Sequence, residues 1–145
     1  MAVKAQPDGA RAVTTTLAAD NAAKLIDFLK TTFDARERSR MVAPDGKIAH
    51  AEVEIGDTPL MLSDTSPMAP PATATFYVYV EDCDRVFNKA LASGATVVAP
   101  LDDRFYGDRS GSVRDMFGNV WTIATHVEDV SDEETKKRMQ AMAPA

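Results

Sequence analysis

Hydrophobic and polar positions along the first half of the chain follow two periods, one typical of strands and one typical of an amphipathic helix. Residues 12–19 form a short apolar and β-branched run that predicts a strand. Residues 20–33 place large apolar side chains on one helical stripe, with Asp20 or Asn21 in the N-cap position. Alternating segments on both sides of a Pro-Asp-Gly turn, followed by residues 58–64, predict three further strands. The predicted order of elements is βαβββ.

The same order recurs after a segment that is rich in proline. Residues 65–72 lack any periodicity, which predicts a linker. Residues 73–80 then predict a strand, residues 81–94 predict a capped helix, and the segments up to residue 126 predict three more strands. Residues 131–142 predict an added helix at the C-terminal end.

Two landmarks align the halves and indicate a duplication. Asp82 follows Asp20 by 62 positions, and Gly118 follows Gly56 by the same 62 positions. A spacing that is preserved at both a helix start and a hairpin is typical of an internal repeat. The sequence therefore predicts a single domain over residues 1–145, with module 1 at about 12–64, a linker at 65–72, module 2 at about 73–126 and a C-terminal helix at 131–142.

Composition and charge narrow the classes of function. The net charge of −6 argues against nucleic acid as a partner, because phosphate binding needs a basic face. No apolar run approaches the roughly 18 residues of a membrane helix. The single cysteine, Cys83, excludes an intramolecular disulfide and a multi-cysteine zinc site. Because the N-terminal residues contain no apolar signal segment, we expect a soluble cytoplasmic protein.

Three stretches carry a resemblance to a known family: NAAKLIDFLKTTFDARERSRM, PDGKIAHAEVEIGDTPLMLSD and FYGDRSGSVRDMFGNVWTIATHVEDVS. Together with the tandem βαβββ order, they make residues 12–134 similar to the glyoxalase/bleomycin-resistance/dioxygenase superfamily, also called vicinal oxygen chelate proteins, and within it to the PhnB-like branch. The resemblance implies an α+β fold in which the two modules form a cup-shaped mixed sheet with helices on its outer face. It also implies a homodimer and a small-molecule ligand.

The resemblance further implies where a divalent metal ion would be bound. Metal-binding members place His, Glu or Gln on the first and last strands of each module, because such an ion needs several nitrogen or oxygen ligands that converge from different strands. At the corresponding positions this chain has Val13, Leu60, Thr75 and Thr122, and a shift of one residue would give Thr14, Met61, Phe76 and Ile123 instead. None of these side chains is a usual ligand of a divalent ion. We therefore expect no metal ion and no cofactor at the inherited positions.

Strand alternation predicts which other side chains face the cavity. His50 and Glu52 share the polar face of one strand, whereas Tyr77 and Tyr79 share one face of another. The predicted ligand-binding residues are His50, Glu52, Tyr77, Tyr79, Phe105, Ser112, Arg114 and Thr122. A set that mixes aromatic, polar and charged side chains suits a small aromatic or oxygen-rich molecule.

Several alternatives stay open at this point. The chain is either a metal-free binder of such a molecule or a metal-dependent lyase, isomerase or dioxygenase of the same superfamily with relocated ligands such as His50 and Glu52. An interaction module without a ligand is the third possibility, and a polar strand face is also typical of a surface exposed to solvent. His126 is predicted to have a surface role, and Cys83 is predicted to be incidental.

Overall fold

The computed structural model describes residues 2–142, within which the chain forms eight strands and three helices. In chain order these are β1 Thr15–Ala19, α1 Ala22–Phe33, β2 Arg36–Val42, β3 Ile48–Ile55, β4 Thr58–Asp64, β5 Thr75–Tyr79, α2 Cys83–Ala92, β6 Thr96–Asp103, β7 Asp108–Arg114, β8 Val120–His126 and α3 Asp132–Ala141. They divide into two compact units, of which the first ends at Ala74 and the second begins at Thr75.

The first unit is a four-stranded mixed sheet with one helix. Its strand order is β1-β4-β3-β2, with β1 parallel to β4 and the other neighbours antiparallel. Helix α1 begins after Asn21, whose side-chain oxygen accepts a hydrogen bond from the backbone N of Lys24 at 3.1 Å. The sheet face that packs against α1 is apolar, and its side chains are at most 3% exposed: Leu17, Ala51, Val53, Leu60 and Leu62.

The second unit repeats this arrangement. Its strand order is β5-β8-β7-β6, with β5 parallel to β8, and Asp82 caps α2 through a hydrogen bond from the backbone N of Arg85 at 3.2 Å. A Cβ at Gly111 would lie 2.7 Å from the ring of Phe87, so only glycine allows α2 to approach β7 this closely. The same sheet face carries side chains that are completely buried: Val113, Trp121 and Ile123.

Helix α3 is the last element of the second unit and contacts the turn between β6 and β7. The Ser131 hydroxyl accepts a hydrogen bond from the backbone N of Glu134 at 3.1 Å and so caps the helix. Arg138 donates to the carbonyl oxygen of Phe105 at 3.1 Å and pairs with Glu128 at 2.6 Å. None of the helices within residues 2–142 is long and apolar enough to cross a membrane.

The predicted α+β class and the two βαβββ repeats are confirmed, but the offset of 62 between the repeats is wrong by one residue in the first and last strands. Thr15 pairs with Leu60 between β1 and β4, and the matching pair between β5 and β8 is Phe76 with Trp121, each 61 positions later. Successive residues of a strand point to opposite faces, so a shift of one residue exchanges the two faces.

The helix caps show the same shift and correct two of the predicted metal positions. The N-caps are Asn21 and Asp82, again 61 positions apart, rather than Asp20 and Asp82. The counterpart of Thr122 is therefore Met61, whereas Leu60 lies on the buried face that packs against α1. Val13 lies before β1 and is exposed.

Candidate ligand site on the second sheet

The face of the second sheet that points away from α2, which we call the open face, carries polar side chains from three strands. Residues opposite each other in neighbouring strands point to the same face. The register pairs Asp108 with His126, Ser112 with Thr122 and Tyr77 with Thr122, which places all of these side chains on the open face. The Ser112 and Thr122 hydroxyls are 2.7 Å apart and form a hydrogen bond.

The carboxylate of Asp108 is the centre of this face. Its side chain is 3% exposed. Tyr77 and Tyr79 both donate their hydroxyl protons to Oδ2, at 2.5 and 2.8 Å, and Nδ1 of His126 lies 2.9 Å from Oδ1. An ionised carboxylate only accepts hydrogen bonds, so the proton of this last contact belongs to Nδ1. We call Asp108, Tyr77, Tyr79 and His126 the Asp108 cluster.

The Asp108 cluster shifts the pKa values of all its members. Burial alone would raise the pKa of the Asp108 carboxyl, but the hydrogen bonds from Tyr77, His126 and Tyr79 outweigh it and hold that pKa below 3.8. Burial and the hydrogen bond to Asp108 raise the pKa of Tyr77, and the same hydrogen bond raises that of Tyr79. Hydrogen bonds to Asp108 and Asp129 raise the pKa of His126 above 6.5. The tyrosines are therefore neutral near neutral pH.

The tyrosine rings stay accessible although their hydroxyls are fixed. Tyr77 is 46% exposed and Tyr79 is 62% exposed, and their ring centroids lie 5.3 Å apart. The hydroxyl of Tyr106, from the turn between β6 and β7, lies 3.4 Å from that of Tyr77. Phe105 packs edge-on against Tyr106 with ring centroids 5.2 Å apart. All three tyrosines of the chain are thus gathered in one exposed aromatic patch.

The second nitrogen of His126 faces outward. Its Nε2 lies 2.7 Å from Oδ1 of Asp129, a residue of the segment between β8 and α3. The Asp129 side chain is fully exposed, whereas the His126 side chain is 48% exposed. The predicted surface role of His126 is therefore incomplete, because one of its nitrogens is bound to the buried carboxylate of Asp108.

The structure places the eight predicted ligand-binding residues in both units. His50 and Glu52 belong to the first unit, where they are half-buried on the face of β3 that points away from the apolar face. Their neighbour Glu54 is occupied by ion pairs with Arg36 and with Arg38, the latter at 3.1 Å. His50 and Glu52 are the two predicted residues of the first unit, and they share one face of β3.

The other six predicted residues lie in the second unit. Tyr77 and Tyr79 meet at Asp108, and Ser112 is hydrogen-bonded to Thr122. Phe105 is half-buried and reaches the patch through its contact with Tyr106. Arg114 shares the open face but is exposed at the opposite end of β7 from Asp108, so it is the member farthest along the strand from the cluster.

The residues present do not fit the metal site of the superfamily. Thr75 and Thr122 offer only hydroxyl groups, and the Thr122 hydroxyl is already bonded to Ser112. In the first unit the matching last-strand position holds Met61. Among the residues that the structure describes, no group of three or more His, Cys, Asp and Glu side chains could hold a metal ion. Hard divalent ions prefer several converging oxygen or nitrogen ligands, which these positions do not supply.

Sequence reasoning missed Asp108 as a site residue. The pattern of residues 109–115 predicts a strand that begins at Arg109, which puts Asp108 in the preceding loop. In the structure β7 begins at Asp108, and the alternation of the strand places its side chain on the same face as Ser110 and Ser112. Extending the predicted strand by one residue would have placed this carboxylate on the same face as Ser112, whereas its pairing with His126 comes from the register of the structure.

Comparisons with known proteins agree with this fold. A family model described as the Glyoxalase/Bleomycin resistance protein/Dioxygenase superfamily matches residues 11–123. The uncharacterized protein Mb0911c of Mycobacterium bovis is 37% identical over 152 residues, which cover 97% of each chain. The crystal structure of TioX from Micromonospora sp. ML1 superposes with a TM-score of 0.67 at 28% identity, over 81% of this chain and 100% of the other. The structure of a PhnB protein from Bacillus cereus shares the fold with a TM-score of 0.67 at 22% identity, over 79% of this chain and 99% of the other.

Proposed function

Because this chain belongs to the glyoxalase/bleomycin resistance protein/dioxygenase superfamily, we propose that it binds a small aromatic or oxygen-rich molecule on the open face of the second sheet, without a metal ion at the inherited positions. The observation that carries the proposal is the Asp108 cluster, in which a buried carboxylate fixes two tyrosines whose rings remain exposed.

Fixed aromatic rings favour binding for a physical reason. A side chain that is already ordered loses less conformational freedom when a ligand arrives, so more of the contact energy appears as affinity. Aromatic rings also prefer offset-stacked or edge-to-face partners, which a planar ligand provides. The hydroxyl protons of Tyr77 and Tyr79 point to Asp108, so their oxygens present lone pairs to a ligand. The open face thus combines an aromatic surface with hydrogen-bond acceptors.

Calorimetric titration of aromatic compounds that raise the melting temperature tests this proposal. For such a compound, Tyr79→Ala should weaken binding by about fivefold or more, since an aromatic contact contributes about 1 kcal/mol beyond the buried area. Tyr79→Phe retains the ring and should change the affinity less. Met139→Ala is the matched control, because it removes an exposed apolar side chain from α3 of the same unit. Compounds that bind to the Tyr77→Ala and Tyr79→Ala variants as tightly as to the wild type would refute the proposed site.

A metal-dependent lyase, isomerase or dioxygenase is the second candidate. It is supported by His50 and Glu52, which lie two residues apart on one face of β3. Elemental analysis of protein purified without added metal separates the two candidates, because a resident ion bound by His50 should be retained in the wild type and lost in His50→Ala. A metal content near zero in both proteins supports the binder.

We further propose that the protein is a cytoplasmic homodimer. The edge strands β2 and β6 carry exposed apolar side chains, and exposed edges of this kind favour pairing with another chain. These side chains are between 45% and 60% exposed: Met41, Val42, Val97 and Val98. A second copy of the chain would remove such side chains from water.

A further inference from the structure

We infer that the outward nitrogen of His126, together with the exposed rings of Tyr77 and Tyr79, binds an aromatic carboxylate. This inference rests on the proposed function, and it names the chemical class of the ligand.

The imidazole ring is fixed by its inner nitrogen. Nδ1 donates to Oδ1 of Asp108 at 2.9 Å, and the Asp108 side chain is 3% exposed. A buried carboxylate that orients Nδ1 leaves Nε2 on the outer side of the ring and stabilises the positive charge of the protonated form. The outward nitrogen is therefore a charged donor held in one direction.

A carboxylate already occupies the outward nitrogen. Oδ1 of Asp129 lies 2.7 Å from Nε2, and the Asp129 side chain is fully exposed to solvent. An exposed carboxylate can leave without opening the core, and ion pairs of exposed groups are weak. Because a ligand carboxylate would replace one negative charge with another, the net charge around His126 stays the same. Asp129 thus occupies the position that the carboxylate of a ligand would take.

The aromatic part of the ligand class follows from the neighbouring rings. Tyr77 and Tyr79 bond to the second oxygen of the same Asp108 carboxylate, so the imidazole and both phenol rings are arranged around one buried group. A planar ring joined to a carboxylate can use the charged donor and the tyrosine faces together. Of the nearby charged groups, Glu128 pairs with Arg138 at 2.6 Å, and Arg138 also pairs with Glu134 at 3.2 Å.

Proton NMR of the hydrogens on the histidine ring carbons reports on this position directly, since the chain contains only two histidines. Benzoate, benzamide and acetate are titrated separately at pH 6, where His126 is protonated. We expect benzoate to shift the His126 resonances more than those of His50. Benzamide lacks the charge and acetate lacks the ring, so both should bind more weakly than benzoate.

Two variants separate the carboxylate contact from the aromatic contact. His126→Gln should weaken benzoate binding by about tenfold or more, because a hydrogen bond to a charged group is lost. Asp129→Asn should tighten it by about threefold, because the competing ion pair is removed. Asp57→Asn, an exposed carboxylate in the turn between β3 and β4, controls for the change in net charge.

The outcomes are distinguishable from failure of the proposed function. Equal affinity for benzoate and benzamide, with loss of both in Tyr79→Ala, overturns the carboxylate position but supports aromatic binding on the open face. Equal affinity for benzoate and acetate overturns the aromatic part of the ligand class. Weaker benzoate binding in Asp129→Asn overturns the exchange of carboxylates. If none of the three compounds perturbs His126, the inference is overturned, whereas the proposed function still stands on the calorimetric titrations.

Discussion

The replacement Asp108→Asn tests the hydrogen bonds that hold the candidate site together. With its amide oxygen in the place of Oδ2, asparagine keeps an acceptor for Tyr77 and Tyr79, but the acceptor is neutral. Hydrogen bonds to a charged group contribute about 1.5–3 kcal/mol and those between neutral groups about 0.5–1.5 kcal/mol, so each of the two weakens by about 1 kcal/mol. We therefore expect the variant to lose about 2 kcal/mol of unfolding free energy.

The same replacement changes the histidine. The asparagine amide group would face Nδ1 of His126, so the ring would have to present a lone pair there and carry its proton on Nε2. Without the adjacent negative charge, the pKa of His126 should fall toward its usual value of 6.5. Asp129→Asn is the control for stability, because its fully exposed carboxylate contacts the same ring, and it should lower the urea midpoint much less than Asp108→Asn does.

Urea denaturation followed by fluorescence is the assay. The single tryptophan, Trp121, is completely buried in the second unit and reports on its unfolding. The denaturation is measured at about pH 5.5, where Asp108 and His126 are both charged. A loss below about 0.5 kcal/mol, the usual size of a surface substitution, would show that the buried carboxylate does not hold the site.

The dependence of wild-type stability on pH provides a second readout of the same pair. The pKa of Asp108 lies below 3.8 in the folded protein, so its contribution is present above that value and is lost as the pH falls through the folded pKa. The pKa of His126 lies above 6.5, so its contribution is fully present below 6.5 and is lost as the pH rises through the folded pKa. Asp108→Asn should remove the first dependence and weaken the second, to which Asp129 still contributes, and an unchanged pH profile would refute the pairing.

Further predictions concern the second unit, metal binding and assembly. Asp115→Ala removes a buried acceptor for Nε1 of Trp121 at 2.9 Å and for three other donors, and should cost about 3 kcal/mol or more in urea denaturation. Gly107→Ala should cost about 3 kcal/mol or more, because φ is +105° and a Cβ would lie 2.1 Å from the carbonyl oxygen of Glu128. Gly46→Ala, at φ +88° with open space around it, should cost only about 1 kcal/mol. Ni²⁺, Zn²⁺, Mn²⁺ and Fe²⁺ should not raise the melting temperature, whereas a rise that depends on concentration would indicate a relocated metal site. Sedimentation should give a mass near twice 15.7 kDa, and a mass near 15.7 kDa would exclude the dimer.

The strands and helices were predictable because local patterns determine them. Strand alternation and helical stripes set the buried faces, and Ser131 and Asp82 cap their helices as polar residues at those positions predict. The alignment of the repeats failed by one residue because Asp20 and Asn21 are both suitable caps, and only the structure shows that Asn21 is used. An error of one residue was enough to turn Leu60 toward the wrong face.

The Asp108 cluster was not predictable because it depends on the order of the strands in the sheet. Tyr79 lies on β5 and Asp108 lies on β7, with β8 between them. The side chain between them on the open face is Ala124, which pairs with both Tyr79 and Ser110 and is small enough for the tyrosine to reach across β8. Alternation along one strand shows which face of the sheet a residue lies on, but it does not show which residue lies two strands away on that face.

A crystal structure of the protein with a bound aromatic carboxylate tests the proposed ligand site most directly. We expect the ligand ring within about 4 Å of Tyr77 and Tyr79, its carboxylate at Nε2 of His126 with Asp129 displaced, and no metal ion beside Thr122. A ligand bound away from the open face, or a divalent ion coordinated beside Thr122, would contradict the proposed function.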